Sequence, residues 1–202
     1  MLTYNRMVAG LSDERADQVF HALADATRRD IVRRAVGATA PGERRWQAQP
    51  AGYRRHDEVV ALGRGEATWR AASVAVLEWA VKTRSGFAVE PPSPVRKGAD
   101  HWLTARVGPL IVREPVRVVA VVDEPSRRGF AYGTLGGHPV SGEEAFVVHR
   151  DGDTVLLTLR SLTRAAPGPW RLVFPVLLVA QRWYRRRYRR ALRSAPRRRG
   201  AA

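Results

Sequence analysis

Hydrophobic positions along this 202-residue chain change their spacing twice. Between Leu11 and Val36 they recur at helical intervals. Ser12 is placed to cap a first helix, DERADQVFHALA, with Asp13 and Glu14 in its first turn and Val19, Phe20 and Leu23 on one side. Asp25 is placed to cap a second, ATRRDIVRRAV, whose Ile31, Val32 and Val36 form an apolar stripe. Over residues 37–52 the period vanishes. Two prolines and three glycines gather there, and the stretch reads as a linker.

From Tyr53 the pattern becomes mixed. A short strand is expected over His56–Leu62, broken by Gly63-Arg64-Gly65. A helix follows over Glu66–Arg84, with Ala67, Ala71, Val74, Leu77 and Val81 at steps of three and four. Alternating segments then predict strands at Phe87–Glu90, His101–Val107, Leu110–Val112, Pro115–Asp123, Gly129–Leu135, Glu143–Arg150 and Asp153–Leu162. Arg150-Asp151-Gly152-Asp153 joins the last two as a hairpin, because Asp-Gly suits positive φ. After Pro167-Gly168-Pro169 a long helix runs from about Trp170 to Leu192, followed by an Arg-rich tail over 193–202.

This order predicts an α+β fold. A single curved antiparallel sheet over residues 53–192 needs one covered face, and the long C-terminal helix is the natural cover. Leu172, Val173, Val176, Leu177, Ala180 and Tyr184 are expected to lie on the sheet, with the arginines facing water. A helical arm over 1–36 precedes the domain.

Composition narrows the chemistry. With 45% hydrophobic residues the chain can bury a core, and with no cysteine it has neither disulfides nor a thiolate nucleophile. The net charge of +16 is uneven: residues 181–202 hold ten arginines and no acid. That segment is a candidate contact for nucleic acid backbone or an anionic surface, although Trp183, Tyr184 and Tyr188 within it suit a buried helix stripe equally well. No basic n-region with a continuous apolar core opens the chain, and the longest apolar run, Leu172–Ala180, is too short to span a bilayer. A soluble cytoplasmic protein is expected.

Candidate chemistry concentrates in Gly129–Phe146, GFAYGTLGGHPVSGEEAF, which places five glycines, Tyr132, His138 and Glu143-Glu144 within eighteen residues. Strand glycines mark close approach by a backbone, helix or ligand. Strand parity puts Phe130, Tyr132 and Thr134 on one face, and Glu144 with Phe146 and Val148 on one face of the next strand, leaving Glu143 on the opposite side. An inward Glu144 needs a partner, and Arg160, Arg164 and His138 are the candidates. Alternatively it is a structural brace. His138, ahead of Pro139, has its backbone direction fixed and is either a weak acid/base candidate or a turn cap. Gly63-Arg64-Gly65 lacks any nucleotide-loop spacing and reads as a strand-to-helix turn. Trp69, Trp79, Trp102, Trp170 and Trp183 read as core or pocket walls. No HxH, HExxH or GxSxG pattern occurs, so neither a metal site nor a serine nucleophile is legible.

The runs PAGYRR, LGRGEATWRAA, RVVAVVDE, GFAYGTLGGHPVSGEEAF and QRWYRRRYRRAL resemble, in this order over about residues 36–192, the domain-of-unknown-function family DUF1990 (UPF0548). The resemblance implies a bacterial and plant family without an established activity, and a START-like helix-grip fold. The segment FHALADATRRDIVRR resembles the opening helices of ArsR-type transcriptional regulators. The recognition helix and wing that such a regulator needs do not follow it.

The expected function is binding of a small apolar or lipid-like molecule between sheet and C-terminal helix, without a cofactor. The expected contacts are Trp79, Tyr132, Gly133, Thr134, His138, Glu144, Phe146 and Arg164. Two alternatives stay open: an enzyme using His138 and Glu144 in the same cavity, and an ArsR-like DNA-binding regulator.

Overall fold

The computed structural model describes residues 37–107, 110–166 and 170–193. The two helices expected before Gly37, with their ArsR-type resemblance, and the tail beyond Arg193 lie outside the described residues. In chain order the elements are β1 (Arg54–Arg64), α1 (Gly65–Leu77), α2 (Ala80–Thr83), β2 (Phe87–Glu90), β3 (Asp100–Val107), β4 (Leu110–Glu124), β5 (Arg127–Thr134), β6 (Val140–Asp151), β7 (Thr154–Ala165) and α3 (Trp170–Ala191). The seven strands make one antiparallel sheet in the order β1-β7-β6-β5-β4-β3-β2. Register shifts at Ala61/Gly63 and Val118/Ala120 are the kind of irregularity that bends a strand. The result is a curved sheet with α1, α2 and α3 on its inner face, a helix-grip architecture.

Four sequence expectations change, the last of them in α3. The two pieces Leu110–Val112 and Pro115–Asp123 are a single strand, β4. Pro115 is tolerated because its pairing with β5 begins one residue later, at Val116↔Thr134, so no ladder bond needs its missing N–H. The helix expected over Glu66–Arg84 is two helices, broken where Trp79 takes a left-handed conformation (φ 59°). That turn drops the Trp79 ring against Phe130 and His101 and re-aims the following turn, which carries Lys82.

The third change concerns residues 37–52. They form a strap across the outer face of the sheet, where Trp46 and Tyr53 pack on Leu162. Arg160 donates to the carbonyl oxygens of Thr39, Ala40 and Arg44, and Arg127 to those of Pro41 and Glu43. Both sheet faces are therefore covered. The inner core runs from Trp69, Val76 and Trp79 through Phe130, Phe146 and Leu157 to Tyr188 and Leu192.

Helix α3 grips the sheet only by its second half. Tyr188, Ala191 and Leu192 are buried, whereas Leu172 and Val176, expected on the sheet, face solvent. The expected arrangement is thus corrected at Leu172 and Val176, while Leu177, Ala180 and Tyr184 face inward as expected, joined by Tyr188.

Candidate functional site

Between the inner face of the sheet and α3 lies a cavity of ≈ 100 Å³, open on one side. β5 and β6 supply its floor through Tyr132, Thr134 and Glu144, β4 supplies Glu114, and the β5–β6 turn supplies His138. Lys82 of α2 enters from the side, and Leu177, Tyr184 and Tyr188 of α3 form the roof.

Lys82 is the organising charge. Its side chain is 3% exposed, and its Nζ donates to Glu144 Oε2 at 2.7 Å and to the Tyr188 hydroxyl at 2.6 Å. The rings of Phe87, Tyr188 and Tyr132 stand 4.6, 4.7 and 5.1 Å from the ammonium, so aromatic faces replace much of its lost hydration. The Tyr132 hydroxyl donates to the same carboxylate oxygen of Glu144. Burial by itself would raise the Glu144 carboxyl, but the charge and hydrogen bond of Lys82, with that of Tyr132, hold it below the usual carboxylate value. Burial and then the Glu144 charge push both Tyr132 and Tyr188 well above the usual phenol value. Both therefore remain neutral, Tyr132 donating to Glu144 and Tyr188 accepting from Lys82.

Beside this cluster stands a carboxyl of different character. Burial, reinforced by the charge of Glu144 and opposed by Lys82, raises Glu114 to about 7. His138 Nε2 lies 3.6 Å from its Oε2, beyond hydrogen-bonding distance. The backbone N–H of Val140 donates to His138 Nδ1 at 3.1 Å, which leaves the ring proton of the neutral imidazole on Nε2, toward Glu114. Burial and then the charge of Lys82 lower His138 to about 3. Glu114 thus faces a neutral ring, and among the described residues no hydrogen bond reaches its carboxyl.

The expected contacts divide. Tyr132, Thr134, His138 and Glu144 line the cavity. Phe146 lies beneath it in the core, its ring 5.5 Å from Lys82 Nζ. Trp79 is buried against Phe130 and borders a separate groove of ≈ 290 Å³ with Val89 and Pro92, not the cavity. Gly133 faces the outer side, near Val119. Arg164 stacks over Tyr53 at 4.8 Å on that side too. The expected partners of Glu144 are replaced by Lys82 and Tyr132: β7 points Ser161 and Thr163 inward and Arg160, Leu162 and Arg164 outward. No hydrogen bond joins His138 to Glu144. Glu143 is also buried, on the outer face, where it accepts from the backbone N–H groups of Gly37 and Thr39 and from the Thr39 hydroxyl. The hairpin glycines answer to the neighbouring strand: a Cβ on Gly129 would stand 2.2 Å from the carbonyl oxygen of Phe146. Among the described residues no three His, Asp or Glu side chains cluster as metal ligands would.

Sequence reasoning missed Lys82, Glu114 and Tyr188. Two signals were present. Lys82 is one of two lysines in a chain whose other 33 basic residues are arginine. Glu114 precedes Pro115, which confines it to extended backbone and fixes the direction of its side chain.

The family model for DUF1990, a domain of unknown function, matches residues 33–191. The chain belongs to the DUF1990 family. It is 39% identical over 148 residues to a UPF0548 protein of Deinococcus radiodurans, covering 66% of this chain and 73% of that protein. It is 26% identical over 134 residues to UPF0548 protein At2g17695 of Arabidopsis thaliana, covering 63% and 65%. Among solved structures, the hypothetical protein jhp0584 of Helicobacter pylori superposes with a TM-score of 0.50 at 8% identity, over 70% of this chain and 85% of that one. This DUF1990 chain shares a fold with that protein; its site must be read from its own residues.

Proposed function

We propose that this DUF1990 protein binds a small molecule in the cavity between sheet and α3, and that the ligand offers a hydrogen-bond donor, best a protonated amine, to Glu114. One observation carries the reading: a carboxyl in the cavity wall without a hydrogen bond among the described residues, beside a Lys–Glu–Tyr cluster that is already tied together by its own hydrogen bonds. The Glu114 side chain is 20% exposed and opens on the cavity, and a cationic ligand beside it favours the ionised carboxylate that burial disfavours. The ligand body would rest on Leu177, Phe87 and Tyr184. A volume of ≈ 100 Å³ falls below the ~300–1,000 Å³ of drug-sized pockets. It approaches the ~150 Å³ cavity that accepts benzene. A ring-sized group with one polar end would therefore seat its polar end in the cavity and part of its ring in the open mouth under α3.

Calorimetric titration at pH 7.5 with benzylamine and with benzyl alcohol tests this. Benzylamine is expected to bind more tightly than the alcohol, and Glu114→Gln to weaken the amine by about 10–100-fold while leaving the alcohol little changed. Equal affinities for both probes in both proteins would remove Glu114 from the site. Absence of binding by either probe would remove the cavity.

The same carboxyl supports a second reading. A Glu titrating near neutral pH suits proton exchange with a bound molecule, so an acid/base role falls to Glu114 in preference to the His138–Glu144 pair. On that reading Glu114→Gln abolishes turnover without weakening neutral analogues, as measured by parallel rate and binding assays.

A further inference from the structure

Helix α3 carries a second surface, directed away from the cavity. Leu172, Val176, Val179 and Trp183 are 86%, 69%, 64% and 50% exposed. Their spacing of four, three and four residues stacks them along one side of the helix. Other exposed apolar side chains, such as Val59 and Val74, lie on β1 and α1, apart from this row. Scattered apolar residues need no explanation, but a continuous row on one helix does. The row also cannot be an unfinished core contact, because Leu177, Tyr184 and Tyr188 already face inward.

The charge on the same helix says what covers the row. Continuing along the outward face, the next turns carry Arg186, Arg187 and Arg190, all exposed. Beyond Asp153 the chain contains no acidic residue, and residues 171–193 hold eight arginines. The outward face is therefore apolar in its first half and cationic in its second. We propose that α3 docks this protein on an anionic lipid bilayer surface, with Leu172, Val176, Val179 and Trp183 entering the headgroup–acyl boundary and the arginines on lipid phosphates.

Both halves of the face are used by such a surface, since amphipathic helices bind through buried apolar area together with attraction to anionic lipid. Trp183 stands between the two halves, the position an indole favours at a membrane interface. Rival occupants use only one half. A nucleic acid would engage the arginines and leave the apolar row in water. A second copy packed through the same face would bring like charges together. Among the described residues no helix is long and apolar enough to cross a membrane, so α3 lies on the surface.

Co-sedimentation of the full chain with vesicles of phosphatidylcholine, with and without phosphatidylglycerol, tests this. Binding is expected to require phosphatidylglycerol and to fall with added salt. The double variant Val176→Asp/Val179→Asp is expected to lower vesicle affinity by about tenfold or more. R186Q/R187Q/R190Q is expected to weaken binding and flatten its salt dependence. Neither variant touches the cavity lining, so an unfolding midpoint close to that of the parent chain should report that the fold is intact; Trp183→Ser provides an independent change in the row. The proposal is overturned if the apolar variants leave vesicle binding unchanged, if duplex DNA is bound and vesicles are not, or if the variants alter only self-association in sedimentation velocity.

Discussion

At the scale of single residues, the cavity is built around one buried cation and two carboxyls that behave oppositely. Glu144 is ionised because Lys82 and Tyr132 hold it, so removing Lys82 strands a partly buried charge. Lys82→Met is expected to destabilise the protein by about 3 kcal/mol in urea unfolding, and Lys82→Met/Glu144→Gln to recover much of the loss. If the double variant is as unstable as the single one, the pair is not coupled. Glu114 carries the opposite sign. Its pKa of about 7 lies above its ordinary 4.5, so between those values the unfolded chain has lost a proton that the folded protein keeps. Its contribution to stability therefore falls as pH rises through that window. Glu114→Gln should match the native protein at pH 4 and exceed it by up to about 3 kcal/mol at pH 8. His138, lowered to about 3 from 6.5, works the other way: its contribution is present above pH 6.5 and is lost on acidification. A pH series of unfolding curves for the Gln variant separates the two. Parity alone placed Glu144 inward, since a strand residue has only two faces. Its partner was not legible, because Lys82 reaches it only through the turn at Trp79, and a positive φ at a tryptophan leaves no pattern in the sequence.

At the scale of elements, the strands were legible and the strap was not. Strands announce themselves by alternation, and the Asp-Gly hairpin between β6 and β7 by its turn chemistry. The strap is held by backbone carbonyls accepting from Arg127 and Arg160, and any residue type can supply a carbonyl. Nothing in residues 37–52 therefore had to look periodic. Arg160→Met is expected to loosen the strap, seen as faster amide exchange at Thr39, with the inner core unaffected. Uniform loss of protection would instead make the strap part of the core. In β5, Gly129 admits the β6 backbone at a distance no side chain allows. Gly129→Ala should destabilise by about 1–3 kcal/mol in thermal or urea unfolding, and an unchanged midpoint would mean that the strands separate easily there.

At the scale of the whole molecule, a seven-stranded curved sheet is wrapped on its outer side by the strap and gripped on its inner side by the second half of α3. The general architecture followed from the order of elements, and the family match from their residues. The orientation of α3 followed in part: Leu177, Ala180 and Tyr184 line the cavity as expected, whereas Leu172 and Val176 face solvent, because the first half of the helix is apolar nearly all round and leaves the choice of buried side open. In the folded protein a hollow lies under Tyr184 and an apolar row on the outward side of the helix. The most direct measurement is an amide ¹H–¹⁵N titration of the full chain with benzylamine. Shifts should cluster on Glu114, Tyr132 to Thr134, Glu144, Ser161 and the inward residues of α3. Saturable shifts confined to the outer face of the sheet, or none at any residue around the cavity, would contradict a binding site between sheet and helix.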